Sequence, residues 1–91
     1  MITVEELRTA LRISNDVLDK EISDTLDAAI LDLGTAGVET GAGDALIGQA
    51  IKLYARWQFD FCGQGERYRS AYESMKACLP LVEEYREERD V

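Results

Sequence analysis

Histidine is absent from this chain of 91 residues, and cysteine and proline are scarce, at two and one. Without an imidazole, neither a Ser-His nor a Cys-His nucleophilic pair can be assembled. Two cysteines, Cys62 and Cys78, are too few for a secreted disulfide framework, and with no histidine beside them they make a structural zinc site improbable. Both thiols are expected buried or half-buried in a reducing compartment. No apolar run approaches the ~18 residues of a membrane span. The opening MITVEELRTAL has no basic start and no long apolar stretch, so no secretory signal is expected.

Positive charge is also short. Ten Lys and Arg face eighteen Asp and Glu, a net charge of −8. Such a field repels nucleic-acid phosphates, whose binders draw affinity from Lys and Arg contacts that release counterions, and it disfavours anionic membranes. It leaves room for passive, non-specific proximity to DNA, as in a channel wall. At 46% hydrophobic and 31% charged, the chain has a globular composition and the length of a single domain over residues 1–91.

The pattern reads as all-α: a small bundle of about four helices, with a Gly-rich loop between the second and third. TVEEL offers Thr3 as an N-cap with Glu6 at the capping-box spacing. Val4, Leu7 and Leu11 then share a face, and the helix is expected to stop near Ile13. Ser14 or Asn15 is the next cap. Leu18, Ile22, Leu26 (or Thr25), Ala29 and Leu33 form a second stripe, with Asp19, Lys20, Glu21, Asp24 and Asp27 outward.

Gly34 is the expected left-handed C′ residue, and the glycines after it predict a mobile surface loop. A phosphate-binding loop would need a closing Lys-Ser/Thr and a preceding strand, which are missing. The third helix is expected from Asp44 to about Cys62. Its two rows, Leu46–Ala50–Leu53–Trp57 and Ile47–Ile51–Tyr54–Phe61, make an unusually wide apolar arc. CGQGE breaks it. The fourth helix places Tyr68, Tyr72, Met75, Leu79 and Val82 on one face, with a kink or a fresh start near Leu79 ahead of Pro80. VEEYREERD reads as a solvated last turn or a frayed end.

Catalytic chemistry is thin. The acids fall on outward helix faces where a solvated carboxylate is the default, and Asp24 with Asp27 lacks EF-hand spacing. No enzymatic activity, cofactor or metal is expected. The distinctive stretch is IKLYARWQFDFCGQGERYRSAY, which holds six of the seven aromatic residues. Most of these rings are expected to form the core. Residues two apart on a helix lie ~200° apart, so Trp57, Phe59 and Phe61 cannot all face inward, and Phe59 is expected to point away from the core. Exposed aromatics beside arginines have the composition of interface centres. The candidate interface is therefore Phe59, Arg56, Trp57, Arg67 and Arg69.

DALIGQAIKLYARWQFDF followed by ERYRSAYESMK resembles the small head-tail connector proteins of tailed bacteriophages, also called head-completion or DNA-packaging proteins. The residues that carry the likeness are Asp44, Leu46, Ile47, Ala50, Ile51, Leu53, Tyr54, Arg56 and Phe59. Glu66, Arg67, Tyr68, Ala71, Tyr72, Glu73, Met75 and Lys76 continue it. TVEELRTALRISNDVLDKEISDTLDAAILDL is similar to the family's first two helices. The Gly-rich loop, Pro80 and the charged tail depart from the pattern.

The resemblance implies a helical structural protein of a phage or prophage virion, without enzymatic activity or cofactor. Identical subunits would form a ring below the portal protein, extend the DNA channel and dock the tail or stopper protein. Its place would be the virion neck, and the host bacterial cytoplasm during assembly. The competing reading is a small acidic helical adaptor or helix-turn-helix regulator, which LRISNDVLDKEI invites. The acids at Asp16, Asp19, Glu21 and Asp24 suit a major groove poorly.

Overall fold

A computed structural model describes residues 2–41 and 45–86. Four helices follow one another: α1 (Val4–Ala10), α2 (Asp19–Thr35), α3 (Ala45–Gln58) and α4 (Gly65–Cys78), with short 3₁₀ turns at Phe61–Gly63, Leu79–Leu81 and Glu83–Tyr85. The described residues contain no strand, only an isolated antiparallel bridge between Val38 and Arg86. The all-α bundle expected from the sequence is what forms.

Helix α1 starts where the capping motif places it. The Glu6 N–H donates to Thr3 Oγ1 at 3.1 Å, and the Thr3 hydroxyl donates in turn to the Glu6 carboxylate at 3.4 Å. It ends three residues short of Ile13. Arg12 adopts the left-handed conformation at φ 57°, its N–H bonds to Thr9 O, and the Ile13 N–H bonds to Arg8 O. That is a Schellman closure with arginine in the usual glycine position.

Helix α2 begins later than either expected cap. Asn15 Oδ1 accepts from the Val17 N–H at 3.1 Å, closing a local turn, and the helix opens at Asp19. The Arg8 guanidinium grips Asp19 through two bonds of 2.9 Å, tying α1 to the first turn of α2. At the other end α2 runs through Gly34 and closes on Gly37 at φ 84°, with Gly37 N–H to Gly34 O and Val38 N–H to Leu33 O. The C′ residue is thus Gly37 rather than Gly34. Leu33 and Val38 are both buried, supplying the apolar contact that accompanies this closure.

Helix α3 is the hub. It packs against α1, α2 and α4, which is why its apolar arc is wide. Ile47, Ala50, Ile51 and Ala55 are buried along it, meeting Leu7, Leu11, Ile22, Ala29, Leu33 and Tyr72. Each fully buried Leu or Ile contributes on the order of 1.5–3 kcal/mol of transfer free energy. Only apolar residues and tyrosines reach the interior among the described residues.

The end of the chain differs from expectation. Through residue 86 Val82, Glu83, Glu84 and Arg86 are exposed, as in a solvated last turn, but the segment is anchored rather than frayed: Tyr85 is buried, its carbonyl accepts the Glu39 N–H at 2.8 Å, and Arg86 Nε donates to Pro80 O at 3.2 Å. Residues 87–91, and the expected start of the third helix at Asp44, lie outside the described residues.

Candidate interaction surface

The turn between α3 and α4 is built by backbone conformations that side chains rarely adopt. Asp60 at φ 47°, Cys62 at φ 54° and Gly63 at φ 68° all lie in the left-handed region, at a cost of roughly 1–2 kcal/mol for each non-glycine residue. Part of that cost is recovered locally. Asp60 Oδ1 accepts the Gly65 N–H at 2.8 Å, capping α4. A Cβ at Gly65 would come within 2.6 Å of that same oxygen, so a larger residue there would displace the Asp60 carboxylate.

This turn sets the direction of the rings, and it corrects the reading of Phe59. Helix α3 ends at Gln58, so Phe59 lies in the turn, half-buried and packed against the core, rather than on an outward helical face. Phe61 leaves the helix as well. It meets Tyr68 edge-on at 6.0 Å, with the Arg56 and Arg12 guanidinium groups 5.6 and 5.8 Å from its centroid. Arg56 also lies 5.8 Å from the Tyr68 ring and donates to Ala10 O at 3.4 Å.

One turn away, Trp57 packs edge-on against Tyr54 at 5.5 Å and beside Tyr72 at 6.1 Å. Arg69 lies 5.8 Å from the Trp57 ring. Arg67 is exposed on the first turn of α4. The candidate residues Phe59, Arg56, Trp57 and Arg69 therefore gather around one end of the α3–α4 hairpin, and Arg67 flanks them. Yet the arginines lie across the rings instead of leaving them bare. All seven aromatic residues are buried or half-buried.

The apolar surface left open is aliphatic and elsewhere. Leu46, Met75, Cys78, Leu79 and Val82 line a groove of about 220 Å³ at the opposite end of the hairpin. Leu81 is 75% exposed beside it in the chain, and Leu46 and Val82 are each 46% exposed. Sequence periodicity had put Leu46 and Val82 on core faces. Helix α4 stops at Cys78, and past Leu79 the backbone is extended at Val82, which turns that side chain outward, while Leu46 stands exposed on the first turn of α3. Both cysteines are exposed, contrary to expectation: Cys62 sits in the strained turn and Cys78 on the rim of the groove.

One polar cluster is semi-buried. The Tyr72 hydroxyl and the Lys76 ammonium both donate to Asp32 Oδ2, the latter at 3.1 Å, and Lys76 also pairs with Glu73 at 3.2 Å. Burial opposes the charge on Asp32, but the bonds from Tyr72 and Lys76 outweigh it and lower its pKa. Burial, and then the bond to Asp32, push the Tyr72 phenol far above its ordinary range. All three groups are satisfied by one another, which makes the cluster a latch between α2 and α4 rather than a reactive site. Among the described residues, no group of three or more His, Cys, Asp or Glu is placed to hold a metal ion, and no helix is long and apolar enough to cross a membrane.

No family model, curated protein or solved structure matches this chain.

Proposed function

We propose that the chain is a structural virion protein of a tailed phage or prophage, one of the identical subunits of a ring below the portal. The ring extends the DNA channel and docks the tail or stopper protein in the virion neck. The observation that carries this reading is the aliphatic groove around Leu79, flanked by Leu46, Leu81 and Val82. A chain this small leaves it open when its interior is otherwise filled. Exposed aliphatic side chains grouped around one groove suit a contact with another protein.

The ordered likeness from Asp44 to Lys76 supplies the identity of the assembly. A net charge of −8 suits a wall along which DNA slides without being gripped. The helix-turn-helix alternative has less support. Residues 11–18 make a longer connection than the three- or four-residue turn of that motif, and α2 exposes Glu21, Asp24 and Asp27. The test is direct: purified protein is incubated with the portal encoded beside it and imaged by electron microscopy. Added ring density below the portal is the expected result, and portal particles that stay bare overturn the proposal.

A further inference from the structure

The two ends of the α3–α4 hairpin differ in charge and in the kind of apolar surface they carry. At the turn end Arg12, Arg67 and Arg69 are exposed and Arg56 is half-buried, arranged around Trp57, Phe59, Phe61 and Tyr68. The acids there are engaged: Asp60 caps Gly65, and Glu66 pairs with Arg69 at 3.5 Å. In a chain of net charge −8, this is a local inversion of sign. At the other end the groove is followed by Glu83 and Glu84, both exposed, while Arg86 donates to the Pro80 carbonyl. About 18 Å of helix separates Arg67 from Leu79, so one copy cannot bring its own two ends together.

We infer that these ends are the two halves of a single head-to-tail contact. The arginine-ringed turn of one copy seats on the aliphatic groove of a second copy, its guanidinium groups facing Glu83 and Glu84. The inference rests on the reading of a self-assembling subunit and names the two surfaces that meet. A two-fold pairing of groove with groove would set Glu83 and Glu84 against their own copies, and like charges face to face oppose it. Pairing opposite ends is complementary, and a contact between two different surfaces generates a ring when its rotation closes. The groove, at about 220 Å³, is smaller than the ~300–1,000 Å³ typical of small-molecule sites, which fits a protruding side chain from a partner.

Charge reversal tests the pairing without the portal. The pair R67E/R69E reverses the turn end, and E83K/E84K reverses the groove end. All four residues are exposed, and circular dichroism confirms that each variant folds. Sedimentation velocity should show the native protein shifting to larger species as its concentration rises, and each variant alone remaining a monomer. An equimolar mixture of the two should recover the native distribution, because each reversed end then meets its complement. A native protein that stays monomeric up to its solubility limit overturns the inference. So does a variant that assembles like the native chain, or a mixture that stays monomeric. Bare portals alongside intact head-to-tail assembly would sink the virion role alone, and portal rings formed equally well by both variants would sink only the pairing.

Discussion

Tyr72 is the largest fully buried side chain, and its hydroxyl ends on the Asp32 carboxylate. Removing only that oxygen, in Tyr72→Phe, leaves Asp32 to Lys76 alone. Hydrogen bonds to charged groups are worth somewhat more than neutral ones, so a loss of about 1–2 kcal/mol is expected by urea denaturation. The pH dependence has two limbs with opposite causes. The pKa of Asp32 is lowered in the fold, so its contribution is present above the unfolded value of ~3.9 and disappears as pH falls through the folded value. For Tyr72 and Lys76 the folded pKa values are raised. Burial and then Asp32 hold the phenol protonated; for Lys76, burial is outweighed by Asp32 and Glu73. Their contributions are complete below unfolded values of about 10 and are lost as pH rises. Urea midpoints measured across pH should therefore lose part of their acid limb in Asp32→Asn and part of their alkaline limb in Tyr72→Phe. Unchanged limbs would show that the latch is not what titrates.

At the scale of elements, glycine positions separate what the residue order discloses from what it conceals. Periodicity identified α2 and its stripe, yet it placed the stop at the first glycine it met. The structure carries the helix through Gly34, where a Cβ would meet nothing within 4 Å, and stops it at Gly37, where φ is 84°. Opposite responses to alanine follow. Gly34→Ala should raise stability by about 0.5–1 kcal/mol through helix propensity, and Gly37→Ala should lower it by roughly 1–2 kcal/mol through left-handed strain. Thermal melts of the two variants decide between the stops, and a loss in Gly34→Ala would restore the earlier boundary.

The same limit explains Phe59. A facing argument holds only while a helix continues, and nothing in WQFDFCG announces that α3 stops at Gln58 with Asp60 left-handed. Tyr85 was illegible for a different reason. It is the aromatic outside the central stretch, with two charged residues before it and five after, and it becomes core only because the Glu83–Tyr85 turn docks on Val38. Local sequence holds no trace of that long-range contact. Tyr85→Ala should cost about 3 kcal/mol, toward the lower end for a buried aromatic, and should speed amide exchange at Glu39, whose N–H bonds to the Tyr85 carbonyl. Slow exchange at Glu39 in that variant would mean the backbone contact stands without its ring.

For the whole molecule, the decisive property is how its charge is spread. Eighteen acids against ten bases would be a uniform repulsive shell if the bases were scattered. Instead the arginines at the hairpin turn lie across aromatic rings, with Arg56, Arg12 and Arg69 each 5.6–5.8 Å from a ring centroid. Arg8 is taken by Asp19, Lys20 by Asp24 and Lys76 by Asp32. Outside the arginine end, the described cations are mostly paired with acids and the surface is acidic, so little of the molecule can displace counterions from a phosphate backbone. The expected result is no shift of duplex DNA by this protein at ~50 mM salt, for any sequence, even at concentrations near 100 µM, where non-specific binders are typically saturated. A non-specific shift that weakens steeply with salt would mean that the arginine end engages phosphates rather than protein. A shift confined to one sequence would instead favour the helical regulator, and would require α2 to enter the major groove despite Glu21, Asp24 and Asp27 on its exposed side. Silence at low salt is the behaviour that the proposed role, a wall past which DNA moves, requires.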